Sequence, residues 1–302
     1  MSGCEAPSPT VPGLAQALED RSREALACGA LRPIETTQEV IEDGGVRFLV
    51  RVVSSLARKA REAGGGQSPD GPPPAKPFLP PEPALTVAAI GTDHLAVLNK
   101  FNVLDRHLLV VTRAFVHQET LLTQADLEAL FACMAQVRGL GFYNGGAAAG
   151  ASQTHRHLQL VPLPLAAEGP AVPMAPLLAG GPAGGLGFCP GLPFRHAFAR
   201  LSRPVAAGAG LAAEAHGLYL RLLASLGIGS TADSRQSAPY NLLVAEDWIL
   251  LVPRVAESFG TVSVNALGFA GSLFVPDQER LAAVRAAGPL AVLGAVVGSV
   301  TG

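Results

Sequence analysis

The chain has 302 residues, of which 49% are hydrophobic, so it can bury a full core as one large domain or two modest ones. Its 22 Lys and Arg residues face 24 Asp and Glu residues, and the net charge of -2 excludes an extended basic surface for nucleic acid. Any site for an anion must therefore be local.

The cysteines and the two terminal segments indicate in which compartment we expect the protein. The four cysteines show no Cys-x-x-Cys or other metal-ligand spacing, and the start of the chain lacks the basic and apolar segments of a signal peptide. We therefore expect reduced thiols and a cytoplasmic location. The most apolar stretch, residues 286–300, is interrupted by glycine and proline and is shorter than the ~20 residues of a membrane span. We interpret it as a buried terminal helix and expect no membrane association.

The first part of the chain predicts one helix followed by strands. Apolar residues at helical spacing predict a helix over residues 12–29. Residues 64–83 are rich in glycine and proline, which predicts a mobile loop. Aliphatic and β-branched runs predict strands at residues 46–53, 85–90, 94–103 and 108–112. The short turn before the last of these strands favours an antiparallel pair.

The second part alternates helical and strand patterns. Thr123 is a predicted N-cap with an acidic first turn, and apolar spacing extends this helix to residue 140. Small residues over 144–152 let the backbone approach a ligand and present amides to an anion. After a Gly/Pro-rich connection at residues 166–193, we predict a helix at 211–226 and a hairpin from strands 239–244 and 248–252.

A polar row stands out within residues 150–162. His155, His157 and Gln159 alternate with apolar residues, so an extended chain places the two imidazoles and the carboxamide on one face. Two histidines at this spacing are compatible with zinc, but no cysteine cluster or third nearby histidine completes a ligand set. A structural buried pair is the other alternative, and it requires a hydrogen-bond partner for each ring.

Catalysis explains the polar row best. Neutral imidazole is a nucleophile near pH 7, and its phosphoryl adduct can pass to a second acceptor. Gln159 can donate a hydrogen bond to a phosphate but cannot protonate a leaving group, which favours a good leaving group such as a polyphosphate. Lys100 interrupts an apolar strand, either as an edge guard against aggregation or as a cation that holds a phosphate.

These motifs resemble those of a known family. The His-x-His-x-Gln row with Pro162, preceded by Asn144-Gly145-Gly146 and by Ser152-Gln153, resembles the histidine-triad superfamily and its nucleotidyltransferase branch. Further stretches narrow the resemblance to diadenosine tetraphosphate phosphorylases, also called ATP adenylyltransferases. These stretches are residues 98–102, 108–113, 239–244, 251–254 and 264–271.

The resemblance implies an α+β fold with a mainly antiparallel sheet covered by helices and the histidine row on a central strand. It also implies a histidine-triad-like catalytic region over residues 1–195 and a C-terminal ATP adenylyltransferase region over 196–302 that completes the substrate cleft. The implied reaction is reversible phosphorolysis of diadenosine tetraphosphate to ATP and ADP through a covalent adenylyl-histidine. The alternatives are a dinucleoside polyphosphate hydrolase and a catalytically silent nucleotide-binding module.

Roles for individual residues follow from the resemblance. His157 would be the nucleophile, the backbone carbonyl of His155 would orient its ring, and Gln159 would bind the transferred phosphate. For Asn241, Asn265 and Gly271, turn and packing roles remain open alternatives. The expected nucleotide- and phosphate-binding residues are Lys100, Asn99, Asn144, Gly145, Gly146, Ser152, Gln153, Thr154, Asn241, Asn265 and Gly271.

The resemblance also implies the ligands. They would be diadenosine polyphosphate, ATP, ADP and orthophosphate. A divalent cation such as magnesium would accompany the polyphosphate and offset its charge, with no metal held by protein ligands alone and no tightly bound cofactor.

Overall fold

The computed structural model describes residues 13–53, 78–205 and 210–298, and the loop predicted at residues 64–83 lies mostly outside these ranges. The helices are α1 Leu14–Ala27, α2 Gln124–Met134, α3 Ala175–Leu178, α4 Leu211–Ser225, α5 Gln278–Ala287 and α6 Pro289–Val297. The strands are β1 Thr36–Asp43, β2 Val46–Val53, β3 Thr86–Ile90, β4 His94–Leu98, β5 Leu108–Thr112, β6 Gly139–Gly145, β7 His157–Pro162, β8 Leu186–Gly187, β9 Ala197–Arg200, β10 Tyr240–Val244, β11 Trp248–Pro253, β12 Ser258–Phe259, β13 Val262–Ser263 and β14 Ser272–Val275.

One large antiparallel sheet organises the fold. Nine strands follow the order β3-β4-β5-β7-β6-β10-β11-β9-β8, so β7 lies in the interior between β5 and β6. A second sheet, in the order β1-β2-β14, pairs β2 with β14 in parallel. Strands from both sides of residue 195 belong to the large sheet, and the domain boundary expected there stays a prediction.

The two faces of the large sheet bury different partners because side chains alternate along a strand. Leu158 and Leu160 of β7 pack with residues of α1, α2 and α4. Phe142, opposite Gln159 on β6, packs with residues of the three-stranded sheet and of α5 and α6. The apolar positions of β7 thus fix which way its polar positions point, and each fully buried Leu contributes about 1.5–3 kcal/mol.

Several sequence predictions are confirmed. The structure contains the predicted helices α1 and α4, the hairpin of β10 and β11, and the antiparallel pair of β4 and β5. Thr123 caps α2 through a capping box in which Asp126 is the N3 partner. The expected α+β fold with a mainly antiparallel sheet is therefore correct.

Some strands were not predicted, and other elements were predicted with wrong bounds. Strands β1 and β6 were not predicted, because β1 is largely polar and β6 is rich in glycine. Helix α2 ends at Met134 rather than residue 140, and β4 ends at Leu98 rather than residue 103. The glycine content of β6 has a packing reason: a Cβ on Gly141 would lie 2.9 Å from Leu130 of the covering helix.

The buried terminal helix predicted for the C-terminal apolar stretch is confirmed as α6, and the first two residues of that stretch end α5. Gly288, with φ of 85°, separates α5 from α6, and the two axes differ by 86°. No single helix in the described ranges is long and apolar enough to cross a membrane, although this bent pair meets the length and composition criteria. Val292 and Val296 of α6 are buried in the same hydrophobic cluster as residues of the large sheet and of the three-stranded sheet.

Candidate active site

A cavity of about 770 Å³ opens on the face of the large sheet that carries the polar row. Strands β4 and β5 form one wall, and Val53 and Phe274 from the three-stranded sheet contribute to the other. The structure brings eight of the residues predicted from the sequence to its lining: Asn99, Lys100, Asn144, Ser152, Gln153, His157, Gln159 and Asn265.

The remaining predicted residues lie outside the lining. Gly145 and Gly146 pack against Gln236, and the backbone of Thr154 accepts a hydrogen bond from Gln118. Gly271 adopts φ of 91° after the 3-10 turn Ala266–Ala270, where a Cβ would lie 2.7 Å from Pro173. His155 and Asn241 are buried behind the cavity and act on it through neighbours.

His157 is the first residue of β7, and one of its two ring nitrogens is hydrogen-bonded to the backbone. Nδ1 lies 2.8 Å from the carbonyl oxygen of His155, so Nδ1 carries the proton and Nε2 keeps its lone pair. The backbone N–H of His157 donates to Oε1 of Gln118 at 2.9 Å. Burial lowers the pKa of His157 to about 4, although the bond to the His155 carbonyl acts in the opposite direction. The imidazole is therefore neutral at pH 7.

His155 precedes the strand and supports its neighbour. Its Nε2 donates to the carbonyl of Thr112 at 2.8 Å, and its ring contacts Phe78 and Phe115 at centroid distances of 5.6 and 5.3 Å. The Phe78 ring also contacts His157 at 5.3 Å. Aromatic packing thus holds both imidazoles, while the backbone carbonyl of His155 remains free for the Nδ1 of His157.

Gln159 is held by a residue that the sequence did not single out. Nε2 of His107 lies 2.9 Å from Oε1 of Gln159, and Nδ2 of Asn99 lies 3.1 Å from Nδ1 of His107. His107 and Gln159 are both buried, and both line the cavity. Sequence inspection gave no signal for His107, because it stands in a loop and its contact spans 52 positions.

Asn144 on β6 is held in a similar way from the opposite side. Its Oδ1 accepts hydrogen bonds from Nδ2 of Asn241 and from the backbone of Ala266, both at 2.9 Å. Arg254 in turn donates to Oδ1 of Asn241 at 2.6 Å and to the carbonyl of Val264 at 2.8 Å. These bonds leave Nδ2 of Asn144 available to the cavity. Burial lowers the pKa of Arg254 to about 10, so its guanidinium stays charged at pH 7.

Arg156 lies between the two histidines in sequence but on the other face of the chain. It donates to Oδ2 of Asp126 at 2.8 Å and to the carbonyls of Thr120 and Leu121. Burial raises the pKa of Asp126, but the hydrogen bond from His94 and the charge of Arg156 outweigh it, so the pKa lies below its ordinary value. This buried ion pair ties the residue that precedes β7 to the start of α2.

Lys100 lies at the rim of the cavity. Its ammonium is 3.0 Å from a carboxylate oxygen of Glu82, and both side chains remain partly exposed. Asn265 caps the 3-10 turn Ala266–Ala270 by accepting from the Leu267 backbone at 3.0 Å. Gly150 packs against Asn265, where a Cβ would lie 2.9 Å away. Asn265 therefore has a structural role in the turn as well as a place in the lining.

A buried neutral histidine beside two amide donors is suited to nucleophilic transfer of a phosphoryl-type group. Comparison with known families agrees with this chemistry. The Ap4A phosphorylase N-terminal domain matches residues 6–180, and the ATP adenylyltransferase C-terminal domain matches residues 190–298. Fold and site define a nucleotidyltransferase of the histidine-triad type. The chain belongs to the Ap4A phosphorylase family, as its motifs predicted.

Similar proteins come from Saccharomyces cerevisiae. Protein APA1 is 32% identical over 165 residues, which are 50% of each chain. Diadenosine 5',5'''-P1,P4-tetraphosphate phosphorylase 2 is 26% identical over 298 residues, which are 89% of each chain.

Solved structures show the same fold. Yeast Ap4A phosphorylase Apa2 matches with a TM-score of 0.76 at 23% identity, over 96% of this chain and 95% of that chain. Apa2 in complex with Ap4A matches with a TM-score of 0.75 at 22% identity, over 96% and 98% of the chains.

Proposed function

We propose that this protein catalyses the reversible phosphorolysis of diadenosine tetraphosphate to ATP and ADP through an adenylyl group carried on His157. One observation supports the proposal above all: the neutral imidazole has its Nδ1 bonded to the His155 carbonyl and its free Nε2 at the cavity. The family membership and the yeast relatives support the choice of dinucleotide.

In the first displacement, Nε2 of His157 attacks the α-phosphorus of one adenosine. The new P–N bond forms as the bond from the α-phosphorus to the bridging oxygen breaks. ATP leaves with the electron pair of that P–O bond. The imidazole ring becomes cationic, and its Nδ1–H is then stabilised by the 2.8 Å bond to the His155 carbonyl. No protein acid is needed, because the terminal phosphate of ATP is a good leaving group.

In the second displacement, an oxygen of orthophosphate attacks the same phosphorus. The P–N bond breaks, the electron pair returns to Nε2, and ADP departs. Gln159 and Asn144 support both steps, since their amide nitrogens can donate to the non-bridging oxygens that gain charge. Lys100 at the rim adds a positive charge for the phosphate chain.

The proposal includes a divalent cation such as magnesium bound with the substrate phosphates. The described residues contain no cluster of three or more His, Cys, Asp or Glu side chains that could hold a metal. Among the described residues that line the cavity, Glu82 is the only carboxylate. This donor set fits a cation held chiefly by the polyphosphate and water, because Glu82 is already paired with Lys100. The cation would offset charge on the departing polyphosphate.

Trapping of the intermediate tests the proposal. The protein is incubated with diadenosine tetraphosphate that carries a radiolabel in the α-phosphorus, without orthophosphate, and then precipitated. We expect label on the wild-type protein, its release as ADP after addition of orthophosphate, and no label on His157→Ala. The matched control is His196→Ala, which removes a buried histidine outside the cavity lining.

Three results would contradict the proposal. Label on the His157→Ala protein would place the nucleophile elsewhere. Release of AMP rather than ADP in the presence of orthophosphate would identify the hydrolase alternative, and nucleotide binding without any label would identify a silent binding module.

A further inference from the structure

Three side chains form a directed hydrogen-bond chain beside the nucleophile. Nδ2 of Asn99 can only donate, so Nδ1 of His107 is the acceptor at 3.1 Å. A neutral imidazole with an acceptor at Nδ1 carries its proton on Nε2. That N–H donates to Oε1 of Gln159 at 2.9 Å. In the structure the chain therefore runs in one direction, from Asn99 toward Gln159.

The chain decides which end of the Gln159 amide faces the substrate. The oxygen and nitrogen of a carboxamide have nearly the same shape, so packing alone does not distinguish its two orientations. Oε1 is engaged by His107, and among the described residues none accepts a hydrogen bond from Nε2. Gln159 is only 7% exposed and lines the cavity, so Nε2 is the end that a phosphate oxygen meets.

Orientation of this amide matters because phosphate oxygens are acceptors only. Nε2 donates to them, whereas a reversed amide would direct the partial negative charge of Oε1 at an anion. We propose that His107 is a positioning residue that holds Gln159 with its N–H group toward the transferred phosphate. The inference rests on the proposed function, and it assigns to His107 and Asn99 a role in orienting rather than contacting the phosphate.

The surroundings of His107 support this role. The ring is buried and lies 5.8 Å from the ring of Phe142, which limits its rotation. Burial lowers the pKa of His107 to about 4, so the ring is neutral near pH 7 and keeps one donor and one acceptor. A ring in this state transmits the orientation of Asn99 to Gln159 without adding a charge beside His157.

The first test needs neither a variant nor turnover. Nitrogen-15 NMR of histidine-labelled wild-type protein at pH 7 reports the tautomer of each ring, with His107 assigned through its backbone. We expect His107 to be neutral with the proton on Nε2. A proton on Nδ1 would mean that Gln159 faces the substrate with its oxygen, and this result would overturn the inference.

The second test is a double-mutant cycle on adenylyl transfer. His107→Phe keeps a buried ring but removes the donor, and Gln159→Leu removes the amide. Loss of a donor to a developing anion lowers kcat about 10²–10³-fold, and a misoriented amide retains part of that effect. We therefore expect His107→Phe to lower kcat roughly tenfold to a hundredfold in the wild-type background and less than threefold in the Gln159→Leu background.

Controls separate positioning from folding. His196→Phe removes the two hydrogen bonds of another buried histidine, which lies outside the cavity, and should lower stability without a change in kcat. The Kd of AMP for His107→Phe should change less than kcat does. Equal losses of kcat from His107→Phe in both backgrounds would overturn the inference.

The outcomes also separate this inference from the proposed function. If the wild-type protein carries adenylate on His157 but the kcat losses of His107→Phe and Gln159→Leu are additive, the proposed function stands and the inference about His107 fails. If no adenylate is trapped, the function fails, and the tautomer of His107 still decides how Gln159 is oriented. A His107→Phe protein that does not fold leaves the same NMR measurement to decide.

Discussion

Nδ1 of His157 lies 2.8 Å from the carbonyl oxygen of His155, and this contact sets the tautomer of the nucleophile. The bond spans only two residues, because His155 precedes the strand that His157 begins. Nε2 is consequently the nitrogen that faces the cavity. The proton on Nδ1 stays in place through both displacements, so the ring changes charge without proton transfer.

The lowered pKa of His157 predicts a simple pH dependence. Its imidazole is neutral above a pKa of about 4, so the nucleophile remains competent well below the ordinary histidine value of 6.5. We expect kcat/KM for the dinucleotide to stay level from pH 7 to about 5, with an acid limb near 4. In a double displacement this ratio reports only the steps up to release of ATP, so the ionisation of orthophosphate does not affect it. An acid limb near 6.5 would contradict the burial of His157 in the working enzyme.

Stability should fall as the pH is lowered. His107 has a pKa of about 4 in the folded protein and an ordinary value of 6.5, so between these values only the unfolded chain takes up its proton. The free energy of unfolding should decrease below pH 6.5, with His107 contributing on the order of 3 kcal/mol by pH 4. Urea unfolding at pH 7.5 and 5.0 measures this decrease, and His107→Phe should show a smaller one. Equal decreases for variant and wild type would refute the prediction.

The ion pair of Lys100 and Glu82 predicts an effect on substrate affinity. The pair is partly exposed, so it contributes little to stability, and Glu82 competes with the phosphate chain for the ammonium. At saturating magnesium we expect Glu82→Gln to lower the KM for diadenosine tetraphosphate about two- to fivefold. Steady-state kinetics of the wild type and of Glu82→Gln measure this change in KM.

A matched control for Glu82 is Glu168→Gln, which removes a carboxylate paired with Arg47 outside the cavity. It should leave KM unchanged. A higher KM in Glu82→Gln that recovers with added magnesium would instead identify Glu82 as a ligand of the cation.

Asn144 should contribute through its side-chain nitrogen. Asn144→Asp keeps an oxygen that can accept from Asn241 and Ala266 but replaces the N–H donor with a second carboxylate oxygen at the cavity. We expect the Kd of AMP to rise at least about tenfold, from loss of a charge-assisted hydrogen bond and added repulsion. Isothermal titration calorimetry with adenosine is the control, because an uncharged ligand should bind as before. Equal losses for AMP and adenosine would indicate a distorted pocket instead.

The buried pair of Arg156 and Asp126 should be structural. Removal of one partner leaves the other charge buried, which costs about 3–5 kcal/mol. We expect Asp126→Ala to lower the free energy of unfolding by this amount and to change kcat less than His107→Phe does. Chemical denaturation measures the loss, with Glu279→Gln as a control at an exposed ion pair. A loss below about 1 kcal/mol would contradict the burial of this pair.

The sequence by itself determined the row His155, His157 and Gln159 and the face of the sheet on which its side chains lie. The period of two along residues 155–160 separates polar from apolar positions, and an apolar set that must be buried leaves the polar set no other face. Lys100 was also found in the chain because it interrupts an apolar strand, and Asn144 because it stands in a motif that resembles the family. These features are local in sequence, and pattern alone can reveal them.

Only the tertiary structure decided how the row is held. The contacts of Gln159 with His107, of Arg156 with Asp126 and of Asn144 with Asn241 span 52, 30 and 97 positions, and no local pattern encodes such pairings. The glycine-rich strand β6 was missed for the same reason, since Gly141 is required by the distant helix α2 that packs against it. Chain folding converts a histidine motif into a site by supplying, from distant segments, the hydrogen bonds that fix each ring and amide in one orientation.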